Sequence, residues 1–160
     1  MPARRLILAA AMAFAAAAPA SDPHPVVTYS AQANFEEVRD DLKLAIQGKG
    51  LVIDHESQIH RMLERTGKDV GSTRKLYAEA QAFTFCSARL SRQTMEADPA
   101  NVAMCPYAIT VYALAVNPGR VYVSFRRPWR PDGSAASKAA LKEVEALLDA
   151  IAREALGLKK

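Results

Sequence analysis

The stretch from Gln81 to Tyr112, QAFTFCSARLSRQTMEADPANVAMCPYAITVY, constrains the fold more than any other part of the chain. Two apolar runs rich in β-branched and aromatic residues bracket a helical segment and a loop, so it reads strand, helix, loop, strand. Cys86 ends the first run and opens the helix. Cys105 precedes a proline and the second run, and these are the only two cysteines in the chain. The stretch defines an arrangement of elements. It carries no legible reaction.

Upstream, Val26 to Ala31 is β-branched and aromatic, a first strand. Asn34 offers an N-cap with Glu37 three residues on. Phe35, Val38, Leu42 and Ala45/Ile46 then follow at helical spacing, with Gly48 and Gly50 as the stop. Leu51 to His55 reads as the second strand. Ser57 is placed to cap a short helix with Ile59, Met62 and Leu63 inward and Gly67 at its end. His55 and His60 are five apart, where a helical metal pair needs three or four, and they read as two surface histidines. The loop Gly67 to Arg74 lacks the order and preceding strand of a phosphate loop.

Leu76 to Phe85 is the third strand, and Cys86-Ser87 opens a helix that Asp98-Pro99 closes, because the residue before proline is pushed out of helical geometry. Leu90 and one of Thr94 or Met95 face inward. Tyr107 to Ala115 and Val121 to Phe125 flank the turn Asn117-Pro118-Gly119 and predict a hairpin. From Ser137, the residues Leu141, Val144, Leu147/Leu148, Ile151 and Leu156 mark a long amphipathic final helix over 137–156. The order is β-α-β-α-β-α-β-β-α.

The chain begins with the three parts of a secretory signal: Arg4 and Arg5, the apolar run Leu6 to Ala17, and the small-x-small site Ala18-Pro19-Ala20. That run is Ala-rich and shorter than the roughly 20 residues a membrane span needs. The expectation is a signal peptide over 1–20 cleaved after Ala20, release to the periplasm or the medium, and no stable membrane anchor afterwards. Residues 21–25 form a flexible lead-in. His24 falls fourth after that cut, and a cut one residue later puts Pro23, which has no amide proton, second, so no terminal copper or nickel site is read there.

One domain over 26–160 follows, long enough to fold without a metal or disulfide. Removing Arg4 and Arg5 lowers the formal charge from +4 to +2, with 19 basic against 17 acidic residues. That field is too weak to argue for nucleic acid or an anionic membrane surface.

The spacing of FCSA and ADPANVAMCPYAITVY, with Cys86, Asp98-Pro99 and Cys105-Pro106 at its fixed points, resembles the exported bacterial branch of the domain-of-unknown-function 302 family. NFEEVRDDLKLAIQGKGLVI looks like that family's opening strand, helix, glycine and strand. The resemblance runs from about Val26 to Arg127, and the final helix extends beyond it. The order Cys-Pro departs from the Pro-Cys of many intracellular relatives, so no role carries over to Cys105. The resemblance implies a single α+β domain with a curved, mainly antiparallel sheet of about five strands backed by helices. It is similar to one half of a TATA-binding-protein-like fold and often dimeric. It implies no activity, and likeness of fold says nothing about DNA binding.

Three readings of Cys86 and Cys105 stay open. A structural disulfide is the default for two cysteines in an exported protein. The helix carries the chain about 15 Å away from Cys86 at 1.5 Å per residue. The seven or so residues before Cys105 can span that distance when extended. A reactive thiol at Cys86 would draw on the helix N-terminus, but there is no CxxC and no nearby His or Asn. Haem or soft-metal ligation would need help from Met95, Met104 or His60, and the absence of CxxCH excludes covalent haem attachment. Two inert buried thiols complete the set.

A second candidate is the edge formed by Arg120, Arg126, Arg127, Trp129 and Arg130. Guanidinium forks beside an indole can hold a carboxylate, a sulfur oxyanion or a partner's acidic patch. The plainer reading is a solvated strand end with Trp129 packed over the final helix. No Ser/His/Asp set, carboxylate pair or nucleotide loop supports a hydrolase or kinase. The leading expectation is a non-catalytic periplasmic module that binds a small ligand or a periplasmic protein through a domain with a structural cysteine pair. No cofactor, metal or nucleic acid is expected. The alternatives are a thiol-redox or sulfur-handling protein using Cys86, and a haem or soft-metal carrier.

Overall fold

A computed structural model of the protein describes residues 24–159; the expected leader lies outside them. Five strands and four helices follow one another, with β4 and β5 adjacent: β1 Val26–Gln32, α1 Phe35–Gly48, β2 Ile53–Gln58, α2 Ile59–Thr66, β3 Tyr77–Phe85, α3 Ala88–Ala97, β4 Tyr107–Leu114, β5 Asn117–Arg126 and α4 Ala135–Ala155. All strand pairs are antiparallel and form one open sheet in the order β1-β5-β4-β3-β2. The element order is the one read from the sequence.

Local chemistry explains most boundaries. Asn34 Oδ1 accepts from the Glu36 and Glu37 backbone N–H groups at 2.8 and 3.2 Å, satisfying donors that the first turn of α1 leaves without partners. Ser87 caps α3 through Leu90 N–H, and Ser134 caps α4 through Ser137 N–H. The final helix thus starts at Ala135, two residues before the expected Ser137, whose own side chain is fully buried. There its hydroxyl accepts from Asn101 Nδ2 at 2.9 Å. Between α3 and β4, the expected loop is a 3-10 turn over Pro99–Met104, started by Asp98 Oδ1 on Ala100 N–H. That turn returns the chain to β4, and the Cys105–Pro106 peptide that follows it is cis.

Helices α1, α3 and α4 cover one face of the sheet. Their apolar stripes meet Phe83, Phe85, Tyr107, Ile109, Val111, Val121, Val123 and Phe125, the inward residues of β3, β4 and β5. Period-two alternation sends the intervening residues to the opposite face. Helix α4 lies between α1 and α3 and completes the layer. At its far end, Tyr29 donates to Asp149 and accepts from Arg153 at 2.9 Å, while the Arg153 guanidinium lies 4.4 Å from the ring centroid.

Burial, and then the hydrogen bond to Asp149, raise the Tyr29 phenol above its ordinary value near 10. A raised value in the folded state means a contribution that is complete below about pH 10 and is lost as the pH climbs through the raised value. Tyr29→Phe is therefore expected to cost about 1 kcal/mol at neutral pH. Urea titrations should show this gap to wild type closing under alkaline conditions; a gap that stayed constant would count against the assignment.

The structure departs from the sequence reading most at β2 and α2. The second strand covers Ile53–Gln58, not Leu51–His55. The polar residues Glu56 to Gln58 are drawn into strand by the β3 backbone, which pairs Phe83, Ala82 and Gln81 with them. Ser57, expected to cap α2, is therefore a strand residue, and α2 begins after Gln58 without a side-chain cap. His60 is buried rather than superficial. Its Nδ1 reaches the Ala80 N–H and C=O at 3.2 and 3.0 Å, continuing the ladder beyond the end of β2, and its Nε2 lies 3.0 Å from Glu79. His55 is exposed, as expected, and so is Met62, which was expected to face inward.

Candidate functional site

The uncovered face of the sheet carries the side chains that alternate with the core. On β5 these are Arg120, Tyr122, Ser124 and Arg126; on β4, Ala108, Thr110 and Tyr112; on β1, Val26, Thr28 and Ser30. Small and hydroxyl-bearing residues leave a hollow in the middle. One lobe, about 340 Å³, runs from Ser124 and Thr110 to Met104, Pro106 and Arg126 and on around the end of the sheet to Tyr107, Phe125 and Leu148 of the helix-covered side. A second, about 240 Å³, runs from the same two residues to Ile59, Tyr77 and Tyr112. Val26, Thr110 and Ser124 line both, so the lobes form one groove across the sheet. Its floor is pinned by Thr28 Oγ1 to Ser124 Oγ at 2.9 Å and by Thr110 Oγ1 donating to the Ser124 carbonyl at 3.1 Å.

The tyrosine end is preorganised. Tyr112 stacks on Tyr122 with ring centroids 5.0 Å apart and planes 8° from parallel, and Tyr77 meets Tyr112 edge-on at 5.7 Å. The other end is basic. No acidic side chain lines either lobe, while Arg126 and Arg127 both line the first.

The structure sorts the predicted arginine edge by commitment. Arg127 pairs with Glu145 and donates to the His24 carbonyl. Arg130 bridges Asp98 at 2.8 Å and Asp132 at 3.0 Å, clamping the turn before β4 to the turn before α4. The hydrogen bond from Arg130 holds the Asp132 carboxyl below its ordinary range. Arg120 donates to Ser30 Oγ at 3.1 Å. Arg126 is exposed and makes no ion pair among the described residues. Trp129 is exposed beside this edge and lines neither lobe. The five residues therefore do not converge: three guanidiniums are held by partners within the fold, and of the two arginines lining the groove only Arg126 lacks an ion pair among the described residues.

Cys86 and Cys105 are brought together at disulfide distance, with Cα atoms 6.5 Å apart. The pair joins the end of β3 to the start of β4, and Cys86 stands one residue before the Ser87 cap. Met104 and Pro106, which flank Cys105, line the groove, so the pair braces one of its walls. Ser91 Oγ lies 3.7 Å from Cys105 Sγ and 3.2 Å from the Tyr107 hydroxyl. His60, considered as a ligand partner for the cysteines, binds Ala80, roughly 20 Å along β3 from Cys86 at about 3.3 Å per residue. Among the described residues no group of three His, Cys, Asp or Glu side chains is gathered as a metal site, and no helix is long and apolar enough to cross a membrane.

Sequence reasoning reached Arg126 but missed Thr28, Thr110, Tyr112 and Ser124. Their signal was the alternation within β1, β4 and β5, which becomes informative only once the face covered by helices is known.

Nothing among curated proteins matches the chain. The structure is similar to the crystal structure of an uncharacterized conserved protein DUF302 from Bacillus stearothermophilus, with a TM-score of 0.68 and 13% identity. That similarity covers 83% of this chain and 99% of the other, and at this identity it speaks for the fold alone. The family model described as "Domain of unknown function DUF302" matches residues 27–155, running through α4 and past Arg127, where the sequence resemblance stops. With the match spanning all five strands and all four helices, the chain belongs to the DUF302 family.

Proposed function

We propose that the protein is an exported, non-catalytic binding module whose small ligand lies in the groove on the open face of the sheet, with Cys86 and Cys105 oxidised and structural. The observation that carries this reading is the groove itself: preformed, walled by packed tyrosines, and open to one guanidinium that no side chain among the described residues neutralises. Each lobe is small, but together they reach the size usual for small-molecule sites, which combine apolar walls with a few placed polar groups. The signal-like leader supports export, and the cysteine pair suits an oxidising compartment.

Two measurements test the reading. A chain made with its leader and recovered outside the cytoplasm should have the intact mass of a protein beginning at Ser21; a full-length mass would count against export. A mixed-chemistry fragment library screened by amide chemical shifts should give hits clustered on Thr28, Thr110, Tyr112, Ser124 and Arg126. The variant Thr28→Trp/Ala108→Trp, which fills both lobes from exposed positions, should abolish them. Hits scattered over other surfaces, or none in the groove, would overturn the binding role.

A further inference from the structure

We infer that the groove selects an amphiphilic monoanion: one carboxylate-type head at Arg126 and an unbranched apolar body that ends against Tyr112. This rests on the binding role proposed above and gives that role a ligand class. Charge is the first argument. The lining is basic without an acidic residue, which disfavours cations. Only one guanidinium is uncommitted, since Arg127 is neutralised by Glu145. A single fork matches a single carboxylate, whereas a polyphosphate or nucleic-acid backbone would need a series of basic groups.

Length and polarity are the second argument. Arg126 and Tyr122 lie four residues apart on β5, roughly 13 Å at about 3.3 Å per residue, and Tyr122 pairs directly with Tyr112. That spacing limits a bound chain to roughly 13 Å from head to tail, room for an extended chain of about eight to ten carbons. The tail lobe presents Val26, Ile59, Ala80 and the rings of Tyr77 and Tyr112, with Gln81 the one amide beside them, its buried Oε1 lacking a partner among the described residues; the hydroxyls of Thr28, Thr110 and Ser124 lie mid-groove and are partly engaged with one another. A tail-lobe lining of this kind rewards apolar area, and the small Ala80 leaves room for it.

The test titrates the mature chain with decanoate, decanol, decyltrimethylammonium and acetate, all below micelle-forming concentrations, and follows amide shifts. Decanoate is expected to bind in the groove, at least tenfold more tightly than decanol and acetate, with no groove binding by the cation. Arg126→Gln should weaken decanoate about tenfold and leave decanol unchanged, while Thr28→Trp should weaken both. Equal binding of decanol, or groove binding by the cation, would overturn the anion class but leave the binding role standing. Decanoate silent in the groove while library fragments bind there would likewise overturn the class alone. Silence of both decanoate and fragments would overturn the class and the binding role together.

Discussion

Phe83→Ala is expected to lower the unfolding free energy by about 3–5 kcal/mol, the usual cost of truncating a fully buried phenylalanine. Phe83 is wholly inaccessible at the middle of β3, a strand paired on both sides, and its ring belongs to the core shared with α1. The Lys43 ammonium lies 5.4 Å from the ring centroid while pairing with Glu56 at 2.9 Å, so truncation also removes the surface on which that ion pair rests. The loss is a large part of the roughly 5–15 kcal/mol that keeps a domain folded. Phe83→Leu retains most of the apolar volume and should cost distinctly less. Urea unfolding of the two variants checks this; an alanine cost under about 1 kcal/mol would mean that Phe83 does not pack in the core against α1.

Removing the cysteine pair is the second large effect. The pair closes a loop of 19 residues containing α3 and the 3-10 turn, and in the chain-entropy account such a crosslink contributes about 3 kcal/mol by restricting the unfolded chain. Cys86→Ala/Cys105→Ala, like wild type held in reductant, should therefore unfold at lower urea. Reduction should have no effect on the double variant. Because Met104 and Pro106 flank Cys105 and line the groove, the same change should weaken groove binding as well as stability. An unchanged urea midpoint on reduction would show that the two thiols are not crosslinked in solution, and the thiol-redox reading at Cys86 would then regain ground.

The helices were legible because their signals are local. Asn34 before Phe35 and the spacing Phe35, Val38, Leu42 and Ile46 act within one or two turns, so the chain states them without reference to its tertiary partners. The hairpin of β4 and β5 was legible from its two β-branched runs, but its turn is Ala115-Val116, and Asn117-Pro118-Gly119, expected as the turn, instead opens β5 through the pairing of Asn117 with Leu114. Strand β2 was not. Ile-Asp-His-Glu-Ser-Gln has little intrinsic strand character, and only the β3 backbone beside it makes an extended ladder its best conformation. His60, read as a surface residue, was misplaced for a related reason, since the groups that hold it in its buried position, Ala80 and Glu79, lie about twenty residues away.

The amino-acid sequence by itself determined the order of elements, the inward stripe of α1 and α4 and the family pattern around the two cysteines. These depend on spacing along the chain and on cap chemistry. Only the tertiary structure decided which arginine is free and which sheet face is open. Arg120, Arg126, Arg127 and Arg130 are chemically identical in sequence, and their difference lies in Ser30, Glu145, Asp98 and Asp132, brought close by folding. The open face follows from the same cause: alternation assigns each strand two faces, but the packing of α1, α3 and α4 chooses which one is buried.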